Sequence, residues 1–318
     1  MGMLPAELIG AYLKEVYMSI LSFPDRGPWG KASWRGNMSG HVYADLFKRL
    51  QPKVFIDPMV GSGTSVEVAT EMGIRAFGLD LFAGFNVLSD SILEATGEPG
   101  DCVVSHPPYG SMIRYSRDVW GNGLTGHPDD LSECIDDEDF HAKLHLAMLN
   151  QREATLGGGY YGTIIGDLRS KGRYVSYQAE IIARMPADEL AAVIIKVQHN
   201  TTSSRRIYSG MALPFIEHAY IVLFKKQQRL VIAVLGRMAK QAHLRLQGTW
   251  RNVVKLSLQQ LGGKATLKEM YDFVAGNTAM VTEERPNWQA KVRQILNSNP
   301  ELFVSSQRGV WEIRKAGN

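Results

Sequence analysis

The sequence predicts an α/β protein with a Rossmann-like, mostly parallel sheet of seven strands, followed by a small winged-helix-like domain. A strand, a glycine turn, a helix, a second strand and an acidic residue follow one another between Lys53 and Asp80. This order is typical of the start of doubly wound α/β domains. With 318 residues, of which 45% are hydrophobic, the chain can form one large core and a smaller one.

Hydrophobic runs bounded by turn residues predict the strands of the sheet. They cover residues 53–56, 75–79, 86–89, 102–105, 160–165, 191–197 and 218–224. Because the last two are close in sequence, we expect an antiparallel hairpin at one edge of a parallel sheet. Helical spacing predicts helices over residues 5–20, 41–50, 64–72, 139–156 and 175–185. The irregular segment 110–137 is long enough to be a lid.

The end of the chain predicts a separate domain over residues 229–318, after a first domain over residues 1–228. A connector helix is predicted over residues 230–246, and a helix follows from Thr249 to Leu261. Thr266 and Glu269 have the spacing of a capping box at a second helix, and Asn287 precedes a third. A hairpin about Arg308 and Gly309 completes a winged-helix pattern.

Charge separates these two parts. From Arg229 onward the sequence has 14 Lys and Arg against 6 Asp and Glu, a net charge of +8. The remainder has 21 basic and 26 acidic residues, a net charge of −5. A basic module favours a polyanionic partner such as nucleic acid, and a solvated basic surface is the alternative.

Composition also excludes several classes of protein. The two cysteines, Cys102 and Cys134, are too few for a metal cluster or a disulfide framework, so we expect no metal. The sequence has neither an apolar run of about 18 residues nor the pattern of a signal peptide. We therefore expect no membrane partner and a cytoplasmic location.

The first candidate ligand site is the glycine turn after the first predicted strand, from Asp57 to Thr64. Glycines allow the backbone to approach a ligand closely, and the helix after them presents free N–H groups. Asp80, about twenty residues later, suits the hydroxyl groups of a ribose. The Gly-Lys-Ser/Thr ending of a phosphate-binding loop is missing, and Val66 stands where a dinucleotide fingerprint needs glycine. An ordinary turn is the alternative interpretation.

The second candidate site is the corner His106-Pro107-Pro108-Tyr109, which follows another predicted strand. Prolines have no N–H group but keep their carbonyl oxygens. Such a corner can accept hydrogen bonds from an amino group, while Tyr109 can stack on a planar ring. A nucleobase with an exocyclic amine satisfies both conditions, and a rigid turn with a packing tyrosine is the alternative.

At these residues the chain resembles the S-adenosylmethionine-dependent DNA amino-methyltransferases, which modify adenine N6 or cytosine N4. The segment 57–64, Asp-Pro-Met-Val-Gly-Ser-Gly-Thr, resembles the cofactor loop of that family, and 106–109 resembles its catalytic motif. Weaker similarities lie in segments 35–39, 162–167, 194–196 and 217–225. The order of cofactor loop, catalytic motif and basic module is one of the circular orders known in the family.

The resemblance implies a role for each matching residue. S-adenosylmethionine would be held by the residues Asn37, Ser39, Asp57, Pro58, Gly61, Gly63, Thr64, Asp80 and Asp90. Of these, Asp57 would contact the amino-acid part, Asp80 the ribose and Asp90 the adenine. The target base would be flipped out of duplex DNA and stack on Tyr109. Its amino group would donate to the Pro107 carbonyl and to His106 and then receive the methyl group directly.

One position departs from the family motif. Its first residue is usually Asp, Asn or Ser, whereas this chain has His106. A neutral imidazole has one acceptor nitrogen, and a protonated imidazole has none. We favour adenine N6 because it is the commoner product of the family, and cytosine N4 is the alternative. Methylation of RNA amino groups and an inactive DNA-binding regulator are rival hypotheses.

The predicted DNA contacts lie outside these motifs. They are Arg205 and Arg206 in the polar segment 198–214, and Gln289, Lys291, Arg293 and Gln294 on the third helix of the basic domain. Arg and Gln suit base edges, and Lys suits phosphates, although a solvated face is the alternative. We expect a bacterial or phage enzyme at the nucleoid. A symmetric DNA site would favour a homodimer, and the enzyme is either solitary or paired with a separate restriction endonuclease.

Overall fold

The structure is a computed structural model that describes residues 18–120, 126–170, 172–199, 213–228, 231–277 and 287–314. The chain divides into two compact units, Met1–Val231 and Ile232–Asn318. The predicted DNA contacts Arg205 and Arg206, and most of the first predicted helix, lie outside the described residues. None of the described helices is both long enough and apolar enough to cross a membrane.

The described part of the first unit contains nine strands and five α-helices. The strands are β1 (Ile20–Leu21), β2 (Val54–Asp57), β3 (Arg75–Gly78), β4 (Gly100–Ser105), β5 (Thr155–Ile165), β6 (Leu168–Ser170), β7 (Arg173–Val175), β8 (Leu190–Val197) and β9 (His218–Lys225). The helices are α1 (Gly40–Leu50), α2 (Thr64–Glu71), α3 (Ile92–Thr96), α4 (Asp137–Glu153) and α5 (Tyr177–Arg184).

Seven of these strands form one sheet in the order β1-β8-β9-β5-β4-β2-β3. Strands β3, β2, β4 and β5 are parallel, and β1 is parallel to β8. Strand β9 is antiparallel to both of its neighbours, β5 and β8. The structure therefore confirms the Rossmann-like, mostly parallel seven-stranded sheet and the antiparallel pairing of the last two predicted strands. Their predicted position at the edge is wrong, because β1 lies outside β8.

One of the seven predicted strands is wrong. Residues 86–89 form a turn in which the Asn86 side chain accepts from the Leu88 N–H at 3.0 Å. The Asn86 carbonyl accepts from the N–H groups of Ser89 and Asp90. An asparagine that binds its own backbone in this way competes with strand pairing. The seventh strand is instead β1, so Ile20 is extended and does not end a helix.

Two apolar clusters cover the two faces of the sheet. One packs α4 and α5 against the sheet and includes Phe140, Leu144, Ile181 and Val222. The other packs α1 and α2 against the opposite face and includes Leu46, Phe47, Phe55 and Ile221. Helices on both faces leave the carboxyl ends of the parallel strands as the edge at which loops can build a site.

The second unit contains the helices α6 (Val231–Gln260), α7 (Leu267–Asn277) and α8 (Trp288–Ser298) with the strands β10 (Lys264–Thr266), β11 (Phe303–Gln307) and β12 (Val310–Ile313). The predicted connector helix and the next helix are one continuous helix, α6. The capping box is present, because Glu269 accepts from the Thr266 N–H at 2.8 Å and Thr266 accepts from the Glu269 N–H at 3.2 Å. Asn287 lies at the N-cap of α8 but makes no side-chain cap.

Candidate active site

A cleft of about 840 Å³, including the open space at its mouth, lies at the carboxyl edge of the large sheet. It joins the two segments that the sequence singled out. The predicted site residues among its lining are Asn37, Pro58, Gly61, Thr64, Asp80, His106 and Pro108. Strands β2 and β4 are adjacent and parallel, so the turn after β2 and the corner after β4 face the same space.

The glycine turn connects β2 to α2 and forms one wall of the cleft. Gly61 has a φ of +53°, and a Cβ there would lie 3.1 Å from the Trp34 indole nitrogen. A side chain at this position would therefore be strained and crowded. Gly63 has a φ of +91° and is the N-cap of α2, but it is not among the lining residues.

Asp80 links this turn to the end of β3. Its carboxylate accepts from the Gly61 N–H and from the Phe82 N–H, both at 2.9 Å. Burial raises the pKa of Asp80, while these two hydrogen bonds oppose the rise. Each carboxylate oxygen can accept more than one hydrogen bond, so Asp80 can also accept from the hydroxyl groups of a ligand in the cleft.

Asn37 and Thr64 form a second polar contact on the lining. Thr64 donates its hydroxyl to the Asn37 side chain at 2.6 Å, and Asn37 donates to the Lys31 carbonyl at 2.9 Å. Ser39, the other residue predicted in this segment, does not line the cleft. Its hydroxyl donates to the Asp25 carbonyl at 2.8 Å instead.

Asp57 and Asp90 lie away from the cleft lining. Asp57 is 1% exposed, and its two oxygens accept from the Met59 N–H at 3.0 Å and the Ser65 hydroxyl at 2.6 Å. Burial raises the pKa of Asp57 to about 7. Asp90 accepts from the Asn86 N–H at 2.8 Å. The structure thus gives both carboxylates local partners in place of the predicted cleft contacts.

The corner after β4 contributes His106 and Pro108 to the opposite wall of the cleft, whereas Pro107 and Tyr109 do not line it. The His106 Nε2 atom and the Tyr109 hydroxyl are hydrogen-bonded at 2.9 Å. Burial, and then the charge of Lys196, lower the pKa of His106 to about 3, so its imidazole is neutral. Pro107 is buried, and Tyr109 packs on Gly166, where a Cβ would lie 2.6 Å from its ring.

The sequence reasoning missed several lining residues that come from loops. They are the aromatic residues Trp34, Phe85, Tyr115 and Trp120, with the polar residues Asn86, Asp129 and Asp130. Asn86 donates to Asp129 at 2.8 Å, and Asp130 accepts from the Ser116 N–H at 2.8 Å. Two adjacent aspartates and several aromatic residues in a long predicted loop were the available signal. The lining suits a ligand that carries a cationic group and an aromatic ring.

The residues predicted on the third helix of the basic domain lie on α8. Gln289, Arg293 and Gln294 are exposed, and Lys291 is partly exposed. Arg293 donates to the Tyr271 hydroxyl at 2.9 Å, and Lys291 donates to the Gln294 side chain at 3.0 Å. These contacts arrange polar groups on one helix surface.

No protein-family model and no curated protein matches this sequence. Several solved structures are similar to it. TTHA0409 of Thermus thermophilus, a candidate DNA modification methylase, matches with a TM-score of 0.27 and 18% identity over 56% of this chain and 53% of that chain. TrmN of Thermus thermophilus matches with a TM-score of 0.34 and 13% identity over 60% of this chain and 50% of that chain.

The N-methyltransferase NodS of Bradyrhizobium japonicum, in complex with S-adenosyl-L-homocysteine, matches with a TM-score of 0.30 and 12% identity over 58% of this chain and 86% of that chain. The match spans about half the length of the two Thermus proteins.

Proposed function

We propose that this chain is an S-adenosylmethionine-dependent methyltransferase that modifies adenine N6 in duplex DNA. The observation that carries the proposal is the cleft shared by the glycine turn, Asp80, His106 and Pro108. A methyl donor on the first wall and an amine on the second would face each other across it. Cytosine N4 is the alternative target, because its amine presents the same N–H donors.

The cleft fits the proposed cofactor by its chemistry. Asp80 would accept from the ribose hydroxyls, and the turn at Gly61 leaves room for the backbone to approach the ligand. Asn37, Thr64 and the aromatic residues Trp34 and Trp120 complete the lining. When bound, S-adenosylmethionine would supply an electrophilic methyl group. We assign Asp57, Ser39, Gly63 and Asp90 to the support of these residues, since they do not line the cleft.

The corner residues would bind and orient the target amine. The Pro107 carbonyl is one candidate acceptor, and a neutral His106 offers at most one more. If the imidazole donates its Nε2–H to Tyr109, its Nδ1 atom is free to accept. Orientation and fixed dipoles would then be the main catalytic contributions. The Tyr109 ring would stack on the flipped base, which requires it to move from its contact with Gly166.

The basic second unit would bind the DNA. The three helices and the three-stranded antiparallel sheet of its described part support a winged-helix interpretation of residues 229–318. In this proposal Gln289, Lys291, Arg293 and Gln294 on α8 contact the duplex, together with Arg205 and Arg206 of the first unit. A symmetric site would be read by a homodimer, and a separate endonuclease would make this chain the modification partner of a restriction system.

Methyl transfer tests the proposal directly. Purified protein is incubated with unmethylated duplex DNA or with RNA and methyl-labelled S-adenosylmethionine, and the product is digested to nucleosides. We expect labelled N6-methyldeoxyadenosine from DNA. Label in RNA alone would mean that RNA, and not DNA, is the substrate. DNA binding without transfer to either nucleic acid would favour an inactive DNA-binding regulator.

A pair of variants tests the corner. Tyr109→Ala should reduce transfer at least about 100-fold, because an aromatic stacking contact and the partner of His106 are both lost. Binding of S-adenosyl-L-homocysteine, followed by the fluorescence of Trp34 and Trp120, should stay within about twofold. Tyr160→Ala, which lies on β5 away from the strand end that faces the cleft, is the matched control and should retain transfer. Equal activity of the two variants would refute the assignment of the target pocket.

A further inference from the structure

The order of the strands in the large sheet defines two sides of the corner that follows β4. Strand β4, which carries the His106 corner, lies between β2 on one side and β5, β9 and β8 on the other. The glycine turn follows β2, so the cofactor side is fixed there. A target base that presents its amine to His106 from the other side must therefore lie over β5, β9 and β8 at the same edge of the sheet.

Small residues occupy the strand positions between Lys196 and the corner, and the Tyr109 ring packs on one of them, Gly166. Lys196 on β8 pairs with Ala219 on β9, and the next residue, Tyr220, pairs with Ile165, which precedes Gly166. Lys196, Ala219 and Gly166 thus form one row across the sheet toward the corner. Side chains two residues apart on a strand point to the same face, so Lys196 shares a face with Ile194, and His106 continues the face of Val104. Because Ile194 and Val104 pack in one apolar cluster, Lys196 and His106 are on the same face of the sheet.

Lys196 has no anionic partner within the described part of the chain. No described carboxylate lies within ion-pair distance of it, and no acidic residue occurs in the segment 198–214 that follows it. Burial alone lowers the pKa of Lys196 to about 8, and its charge in turn acts on His106. A largely buried ammonium without a partner is costly, and such groups are concentrated at functional sites.

With the His106 tautomer proposed above, the described corner residues 106–108 offer the base acceptors but no free side-chain donor. The Pro107 carbonyl can only accept, and the His106 Nε2 atom is already bonded to Tyr109. A base held only through its amine could still rotate in its own plane. A second hydrogen bond on the same edge of the base would fix that rotation.

We propose that Lys196 binds the target base, its ammonium donating to the ring nitrogen beside the exocyclic amine. This atom is N1 of adenine, or N3 of cytosine. The inference rests on the proposed function and adds a specificity-determining residue to it. Guanine and thymine carry an N–H at the corresponding ring position, so Lys196 would reject both.

A chemical double-mutant cycle tests this assignment. Wild type and Lys196→Met are assayed on a duplex with the target site, mapped from methylated host DNA, and on the same duplex with 1-deazaadenine at the target (3-deazacytosine if cytosine is the target). On normal DNA, Lys196→Met should lower kcat/KM about 10- to 100-fold, as expected for one charge-assisted hydrogen bond. Replacing the target with the deaza base should lower kcat/KM of the wild type by a similar factor. The same replacement should lower kcat/KM of Lys196→Met less than about threefold.

Two controls complete the test. Lys225→Met removes a lysine at the opposite end of β9, where its ammonium lies over the Tyr160 ring, and should retain wild-type kcat/KM. Binding of S-adenosyl-L-homocysteine to Lys196→Met should be unchanged. If the deaza base lowers kcat/KM of Lys196→Met by the same factor as that of the wild type, the two changes are independent and Lys196 does not bind the ring nitrogen. Wild-type activity of Lys196→Met would overturn its role as well, and either result would leave the proposed function intact. Absence of transfer by the wild type to any nucleic acid would refute the function itself.

Discussion

Two buried carboxylates of the first unit have opposite electrostatic environments. Glu189 accepts two hydrogen bonds from Arg152, at 2.7 and 2.8 Å, and one from the Tyr161 hydroxyl at 2.7 Å. Burial alone would raise its pKa, but these donors more than offset that effect and lower it. Asp57, which has the Ser65 hydroxyl and one backbone N–H as its donors, has its pKa raised to about 7 by burial.

The opposite pKa shifts of Glu189 and Asp57 distinguish a polar cluster in which hydrogen-bond donors outweigh the effect of burial from one in which they do not. The Arg152–Glu189 pair lies on the side of the sheet away from the cleft, beside the amino half of β5, and neither side chain is exposed. The carboxyl edge of the sheet contains Asp57, Asp80, His106 and Lys196, and the pKa of each is shifted in the direction that favours its neutral form. We infer that the first cluster serves stability and that Asp80, His106 and Lys196 are left for ligands to complete, whereas Asp57 already has its partners in the core.

The largest expected effect comes from breaking the complete cluster. Glu189→Ala should lower the free energy of unfolding by about 3–5 kcal/mol, because it leaves the Arg152 charge buried without its main partner. Urea denaturation followed by far-ultraviolet circular dichroism measures this loss. Glu153→Ala is the matched control, since Glu153 contacts the same arginine at 3.4 Å but is 48% exposed. Glu153→Ala should lower the free energy of unfolding by less than about 1 kcal/mol. Equal losses in the two variants would contradict the assignment of the Arg152–Glu189 pair to stability.

The second prediction concerns pH and Asp57. A carboxyl whose pKa is raised on folding binds more protons in the folded state, so its contribution to stability is greatest below about pH 4 and is lost as the pH rises to about 7. The full difference is roughly 4 kcal/mol, at about 1.4 kcal/mol for each pH unit. Asp57→Asn removes the titration, so the stability of wild type relative to this variant should fall between pH 4 and pH 7.

Urea denaturation at several pH values measures that difference. Asp45→Asn, which removes a carboxylate paired with Arg49 on α1, is the matched control for the loss of a carboxylate elsewhere in this unit. If the difference in the free energy of unfolding between wild type and Asp57→Asn is constant from pH 4 to pH 7, the pKa of Asp57 is not raised by burial.

Much of the fold was predictable because its signals are local. The glycine turn, the strand before it and Asp80 follow one another in sequence, and parallel pairing then brings Gly61 and His106 to the same edge. Residues 86–89 were mistaken for a strand because the sequence pattern does not reveal the turn that the Asn86 side chain makes. Strand β1 has only two residues, too few for a periodic signal.

The site was less predictable because its lining depends on tertiary contacts. Asp57 was predicted in the cleft, but the first turn of α2 places Ser65 where it binds the carboxylate inside the core. Trp34 and Asp129 reach the lining from loops whose paths no local rule determines. The position of Lys196 in one row with Ala219 and Gly166 follows from strand pairing, which the sequence around Lys196 does not reveal.

The smallest expected effect compares two tyrosine hydroxyls, one in each cluster. Tyr161 donates to the charged Glu189 at 2.7 Å, and Tyr109 is bonded to the neutral His106 at 2.9 Å. Tyr161→Phe should therefore cost about 1.5–3 kcal/mol and Tyr109→Phe about 0.5–1.5 kcal/mol in urea denaturation. Their activities should show the reverse order, with methyl transfer reduced in Tyr109→Phe and unchanged in Tyr161→Phe. A larger stability loss in Tyr109→Phe would mean that the cleft cluster also holds the fold together, and the separation of the two roles would fail.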